Sequence, residues 1–203
     1  TKLSIRNIDG DIFTGDSTAF RSLSLEDLEL TSLALNQHVK MRRWSYDTLD
    51  GQMEFFDVKI EPVDRSTKSE GYLEATLPYV DLIGFQQSEF FDNKHFKAKE
   101  VVITRPEIAY WPKDVSGNKE DSKEFTSELS FEIENLHLDT ANFSISGGLD
   151  EKIDAINASG INARFRNTAF PRKDLISDKS INFSDQFELS IKNVLPVFSG
   201  NEN

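Results

Sequence analysis

One short apolar pattern recurs along the chain and limits what it can fold into. It is φ-x-φ-x-x-φ-x-φ, where φ is an apolar residue. It occurs at Leu23, Leu25, Leu28 and Leu30, at Met53, Phe55, Val58 and Ile60, and at Phe96, Ala98, Val101 and Ile103. It occurs again at Phe131, Ile133, Leu136 and Leu138, and more weakly at Ile156, Ala158, Ile161 and Ala163. Partial copies open and close the chain at Leu3, Ile5 and Ile8 and at Leu189, Ile191 and Val194. Side chains alternate between the faces of a β-strand, so a regular strand would send the second apolar pair to the opposite face. One extra residue, a β-bulge, restores the face. The residue before the third apolar position is Asn7, Asp27, Asp57, Glu100, Asn135, Gly160 or Asn193. All but Glu100 are types that tolerate a positive φ, which some bulges need. The alternative is a strand buried on both faces, which needs no bulge.

Two copies match over a longer span. Phe96–Ile103 is followed by Ile108 and Tyr110, and Phe131–Leu138 by Phe143 and Ile145, at an offset of 35 residues. Each reads as a bulged strand, a polar break and a second strand. The breaks are Thr104-Arg105-Pro106-Glu107 and Asp139-Thr140-Ala141-Asn142. Pro106 suits a turn or a sheet edge. The uneven spacing of the units excludes a leucine-rich repeat or a fixed-period propeller. The expected fold is therefore all-β. It is a curved, mostly antiparallel sheet of repeated bulged strands, closing as a groove or a sandwich.

The rest of the chain supplies connections. Pro62–Gly71 reads as a loop, Ser146-Gly147-Gly148 as a turn and Asn167–Ser180 as a polar excursion. A short helix is expected near Gln87–Asn93, with Ser88 as N-cap and Phe90 and Phe91 facing inward. Residues 1–203 form a single β domain, or two lobes divided near 112–124, where Gly, Pro and charges leave little to bury.

Composition excludes several functions. The net charge is −12, which disfavours nucleic acid and anionic headgroups as main partners. There is no cysteine, so disulfides and thiolate metal sites are excluded. The 3 histidines, His38, His95 and His137, share no metal-ligand spacing and read as surface residues. Asp9-Gly10-Asp11 with Asp16 lacks the calcium-loop pattern and reads as a turn. With no hydrolase, nucleotide or dinucleotide motif, the chain is expected to be no enzyme and to use no cofactor.

A resemblance adds to this reading. The run Leu77-Pro78-Tyr79-Val80-Asp81-Leu82-Ile83-Gly84-Phe85, the short helix, and then Asn93–Ile108 resemble the AsmA-like proteins of Gram-negative envelopes. There a strand leads through a small helix to an alternating strand that ends in an x-x-Pro-x-Ile turn. Phe131–Ile145 is similar to the following repeat. The resemblance implies a β-sheet with a hydrophobic groove and a link to phospholipid transport and outer-membrane integrity. Phe55, Val58, Ile60, Phe96, Val101, Ile103, Phe131, Ile133, Leu136 and Leu138 would then face lipid, or equally would fill a closed core. The expected partners are a lipid and an envelope protein joining through strand edges. The expected location is periplasmic or otherwise in the envelope, after release from an N-terminal anchor. Trp44, Tyr46, Tyr110 and Trp111 lie near strand ends and read first as rings that cap the ends of the apolar face; the competing expectation is a secreted carbohydrate-binding or adhesion module in which they stack on sugar rings. Lys40, Arg42 and Arg43 form a small basic spot beside Trp44 and read as a solvated strand face.

Overall fold

The alternation of apolar and polar residues folds almost wholly into strands. A computed structural model describes residues 2–4, 7–14, 18–32, 36–65, 71–86, 89, 93, 95–112, 130–150, 153–170 and 184–198. Among them are β1 (Lys2–Ser4), β2 (Asn7–Thr14), β3 (Thr18–Ser32), β4 (Gln37–Asp47), β5 (Gln52–Pro62) and β6 (Tyr72–Ile83). There follow β7 (His95–Thr104), β8 (Glu107–Trp111), β9 (Ser130–Asp150), β10 (Ile153–Phe170), β11 (Gln186–Ser190) and β12 (Asn193–Phe198). All twelve belong to one sheet, in the order β1-β3-β4-β5-β6-β7-β9-β10-β11; β2 pairs with β3, β8 with β6 and β9, and β12 with β10. Every pairing is antiparallel except β7–β9 and β8–β9, which are parallel.

Register follows the apolar unit. Leu23, Leu25, Leu28 and Leu30 oppose Tyr46, Trp44, Met41 and Val39. Met53, Phe55, Val58 and Ile60 oppose Leu82, Val80, Leu77 and Ala75. Apolar residues therefore meet apolar residues across each ladder, the arrangement that cross-strand packing rewards. The two long copies lie side by side in parallel. Phe96 pairs with Phe131, Ala98 with Ile133, Val101 with Leu136 and Ile103 with Leu138, so the offset of 35 residues is the register itself. It continues through Ile108 with Phe143 and Tyr110 with Ile145.

The bulges align into a seam across the strands. Positive φ occurs at Asp27 (51°), Asp57 (52°), Arg105 (49°), Thr140 (54°) and Gly160 (62°). Intact pairs bracket these positions: Glu26 with Arg43 and Leu28 with Met41, then Phe56 with Tyr79 and Val58 with Leu77. Farther on the brackets are Thr104 with Asp139 and Glu107 with Asn142. Asp27, Arg42, Asp57, Pro78, Arg105 and Thr140 thus stand at one level. Because each neighbour carries its irregularity there, register is unchanged on either side, and the bulges add their twist along one line. Backbone bonds from Arg105 N to Asp139 O (2.7 Å) and from Asn142 N to Pro106 O (2.8 Å) hold the break between β7 and β8 against β9.

Several sequence expectations are corrected. Asn135 and Asn193 are not among the positive-φ residues, although Asp27, Asp57 and Gly160 are. Phe131, Ile133 and Leu136 nevertheless join one cluster, as do Ala98 and Val101. The apolar pairs of these two copies therefore share a face, through a bulge that needs no left-handed residue. Asp9-Gly10-Asp11 is not a turn but lies within β2, opposite Ser24, Leu23 and Ser22. Ser146-Gly147-Gly148 is not a turn either: β9 runs to Asp150 and β10 starts at Ile153. Asp139–Asn142 is not a break; β9 continues through it with Thr140 as the kink. The polar excursion starts later than Asn167, since β10 extends to Phe170. The short helix expected over 87–93 lies outside the described residues except for Glu89 and Asn93, whose side chains are joined at 3.0 Å. Pro112 is described while 113–124 are not, and β8 and β9 on either side pair directly.

Candidate binding surface

On one side of the seam the apolar positions merge into a single cluster. Met53 of β5, Val80 and Leu82 of β6, Ala98 and Val101 of β7, Ile133 of β9 and Phe85 beyond β6 are buried together. Phe85 reaches this place because Gly84, at φ 68°, turns the chain back over the sheet. Its amide donates to Gly51 O at 2.9 Å. Its ring meets Tyr46 edge-on at 6.1 Å and Phe96 at 5.4 Å.

Seven of the ten residues expected to face lipid belong to this cluster. Val101 and Ile133 lie inside it, while Phe55, Phe96, Ile103, Phe131 and Leu136 are partly buried around it. The other three lie apart from it. Val58 is buried beyond the seam. Ile60 borders a cleft of about 430 Å³ that also takes in Ala75, Ile108, Phe143 and Ala158. Leu138 stands between Ile103 and Ala163 and borders a second cleft of about 520 Å³. Trp44 and Tyr46 pack on the cluster, in keeping with their reading as rings that cap the apolar face, whereas sequence reasoning missed Val80, Leu82 and Phe85 as members of the surface. The signal was present for Val80 and Leu82, as it was for the two rings. Val39, Met41, Trp44 and Tyr46, and likewise Ala75, Leu77, Val80 and Leu82, carry the same unit.

The opposite face is polar and internally paired. Glu54 accepts hydrogen bonds from Tyr79 Oη at 2.7 Å and from Ser45 Oγ at 3.0 Å. Burial, followed by the bond to Glu54, raises the Tyr79 phenol far above its ordinary value. Lys97 pairs with Glu132 at 3.1 Å, and His95 Nδ1 shares a 2.7 Å hydrogen bond with Ser130 Oγ. His95 and His137 are half-buried beside Glu132 and Glu100 rather than freely exposed. His38 is not a plain surface residue: its Nε2 is enclosed and has no hydrogen-bond partner among the described residues. Of the basic spot, Arg42 pairs with Asp57, and the Arg42 and Arg43 guanidinium groups lie 5.9 and 5.4 Å from the Phe56 ring centre. Among the described residues no three His, Cys, Asp or Glu side chains gather as a metal site.

The four large aromatics do not make one platform. Trp44 and Tyr46 stack at 6.3 Å and pack on the apolar cluster. Trp111 stacks on Tyr72 at 4.6 Å, beyond the seam at the other end of the sheet, with Tyr110 exposed beside it. The chain matches no family model, no curated protein and no solved structure.

Proposed function

We propose that this protein is a non-enzymatic, AsmA-like element of a bacterial envelope whose apolar sheet face receives the acyl chains of a lipid. The observation that carries the reading is an apolar face continuous from β3 to β10, in a chain whose described strands all belong to one sheet. A single-layer sheet leaves that face for something else to cover. Phe55, Phe96, Phe131 and Leu136 are only partly buried there, so they retain surface for a ligand. Acyl chains suit it because the face offers methyl, methylene and ring surface with few polar groups. The opposite face, with its Lys97–Glu132 and Tyr79–Glu54 pairs, would turn to water.

The test is native mass spectrometry and solvent extraction of protein purified without detergent from a Gram-negative host. Phospholipid should co-purify, and a fluorescent fatty acid should displace it. Phe131→Asp should lose both signals while circular dichroism stays that of a β protein. Protein that is free of lipid and fails to take up the fluorescent fatty acid would refute the reading.

A further inference from the structure

Tyr72 and Trp111 stand where the apolar cluster has no use for them. They oppose each other across β6 and β8 on the polar face, because the adjoining pair Leu73 and Tyr110 belongs to the apolar one. Their rings stack at 4.6 Å and 20°. Neither joins the cluster, and neither Trp111 Nε1 nor Tyr72 Oη has a hydrogen-bond partner among the described residues. Both are half-buried. Rings of this size with unspent polar atoms on a polar face suit a ligand that is part apolar and part polar.

The cleft of about 430 Å³ lies beside them, lined by residues 59–61, 74–76, 107–109, 142–144 and 157–159. The middle residue of each triplet sends its side chain to the apolar face, and the flanking two send theirs to the polar face. The next apolar positions along these strands, Val58, Leu77, Tyr110 and Ile145, do not line the cleft. It therefore opens on the polar face, with backbone for its floor. One wall is the row Lys59, Thr76, Glu107 and Asn142, matched residue to residue across the strands. The other is the row Glu74, Ala109, Ser144 and Asn157. Tyr72 and Trp111 form the next row beyond the second wall. The trough crosses five strands, a length of roughly 19 Å at about 4.8 Å per strand.

Its amides, hydroxyls and carboxylates donate to and accept from alcohol groups in a close array. Glu74 is engaged by Arg65 at 2.8 Å, which leaves Glu61 and Glu107 against Lys59 alone. The surplus is negative in a chain of net charge −12, so an anionic ligand is repelled. The Tyr72 ring backs one face of the indole, and no other ring or cation packs on Trp111 among the described residues. The other indole face is left for stacking. A molecule with many hydroxyls, flat C–H faces and no charge is a neutral sugar chain. We infer that this trough binds a neutral oligosaccharide, which lies along the two polar rows and stacks a sugar ring on Trp111. The site is on the face opposite the acyl-chain surface, so the two readings stand or fall separately.

The test is titration with maltohexaose, cellohexaose and chitohexaose. Calorimetry reads the whole chain, and fluorescence reads Trp44→Phe, in which Trp111 is the sole tryptophan. At least one hexamer should bind saturably and shift the Trp111 emission. Hexagalacturonate, a charged counterpart, should bind at least tenfold more weakly. Trp111→Ala should weaken binding of the neutral hexamer at least tenfold. Asn142→Ala/Asn157→Ala, at two exposed positions, should do the same with an unchanged circular dichroism spectrum, which keeps a fold defect in the indole variant from deciding the test. No saturable binding of any neutral hexamer at millimolar concentration, undiminished binding in either variant, or equal binding of hexagalacturonate would each overturn the inference.

Discussion

Asp57 offers the sharpest test of the seam. Its backbone sits at φ 52°, and its exposed carboxylate pairs with Arg42. Placing Val there imposes a left-handed conformation on a β-branched residue, at a cost of about 1–2 kcal/mol. It also removes an ion pair whose side chains are 51% and 63% exposed, which contributes at most about 1 kcal/mol. Asp57→Val should therefore destabilise by about 2 kcal/mol, a fall in Tm of roughly 4–8 °C for a domain of this size. Asp57→Gly keeps the backbone free of strain and should cost no more than the ion pair, about 0.5–1 kcal/mol. Arg42→Ala measures the pair alone. Asn135→Val is the control, since Asn135 occupies the same place in its unit without a positive φ. Urea unfolding followed by tryptophan fluorescence reads all four variants. If Asp57→Val costs no more than Asn135→Val, the left-handed seam residue is not what holds the crease.

Other outcomes follow from single sites. Tyr79 is held protonated by burial and by its bond to Glu54, so its folded pKa lies above its unfolded one. The stability this contributes is complete below about pH 10 and is lost as the unfolded chain ionises above it. Tyr79→Phe should flatten that alkaline loss in urea unfolding at pH 9–11. Gly84→Ala should destabilise by about 1–2 kcal/mol, because φ is 68° and the new Cβ would meet Lys99 Cβ at 2.9 Å; thermal melting checks this. Thr168 is 1% exposed opposite Ile133, with no partner for its hydroxyl among the described residues. Thr168→Val should raise stability by about 1 kcal/mol in the same urea assay, and a loss would mean that the hydroxyl is satisfied.

The class of fold was legible because the unit's period excludes a helix and its repetition implies a sheet. The unit also reads the same in both chain directions, so it aligns pair with pair in antiparallel as well as parallel neighbours. That is why Leu25 meets Trp44 and Phe55 meets Val80 with no change of register. The copies in β4 and β6 were equally present. Ala75 is a weak apolar signal, Pro78 reads as a breaker, and Trp44 and Tyr46 invite a reading as ligand-stacking rings.

What the residues determined alone was local: which positions are apolar, where one extra residue is needed to keep them on one face, and that Asp27, Asp57 and Gly160 tolerate a left-handed backbone. Tertiary structure decided the rest. A positive φ is adopted where both neighbouring ladders demand it, so Thr140, an unfavourable type, takes one while Asn135 does not. The parallel pairing of the two long copies joins residues 35 apart, and the strand itself carries no mark of which neighbour it will meet. The alignment of the bulges into a seam depends on the register of every ladder together. Register is fixed only when one whole face is buried against its neighbours, because a slip of one residue would turn that entire face toward water.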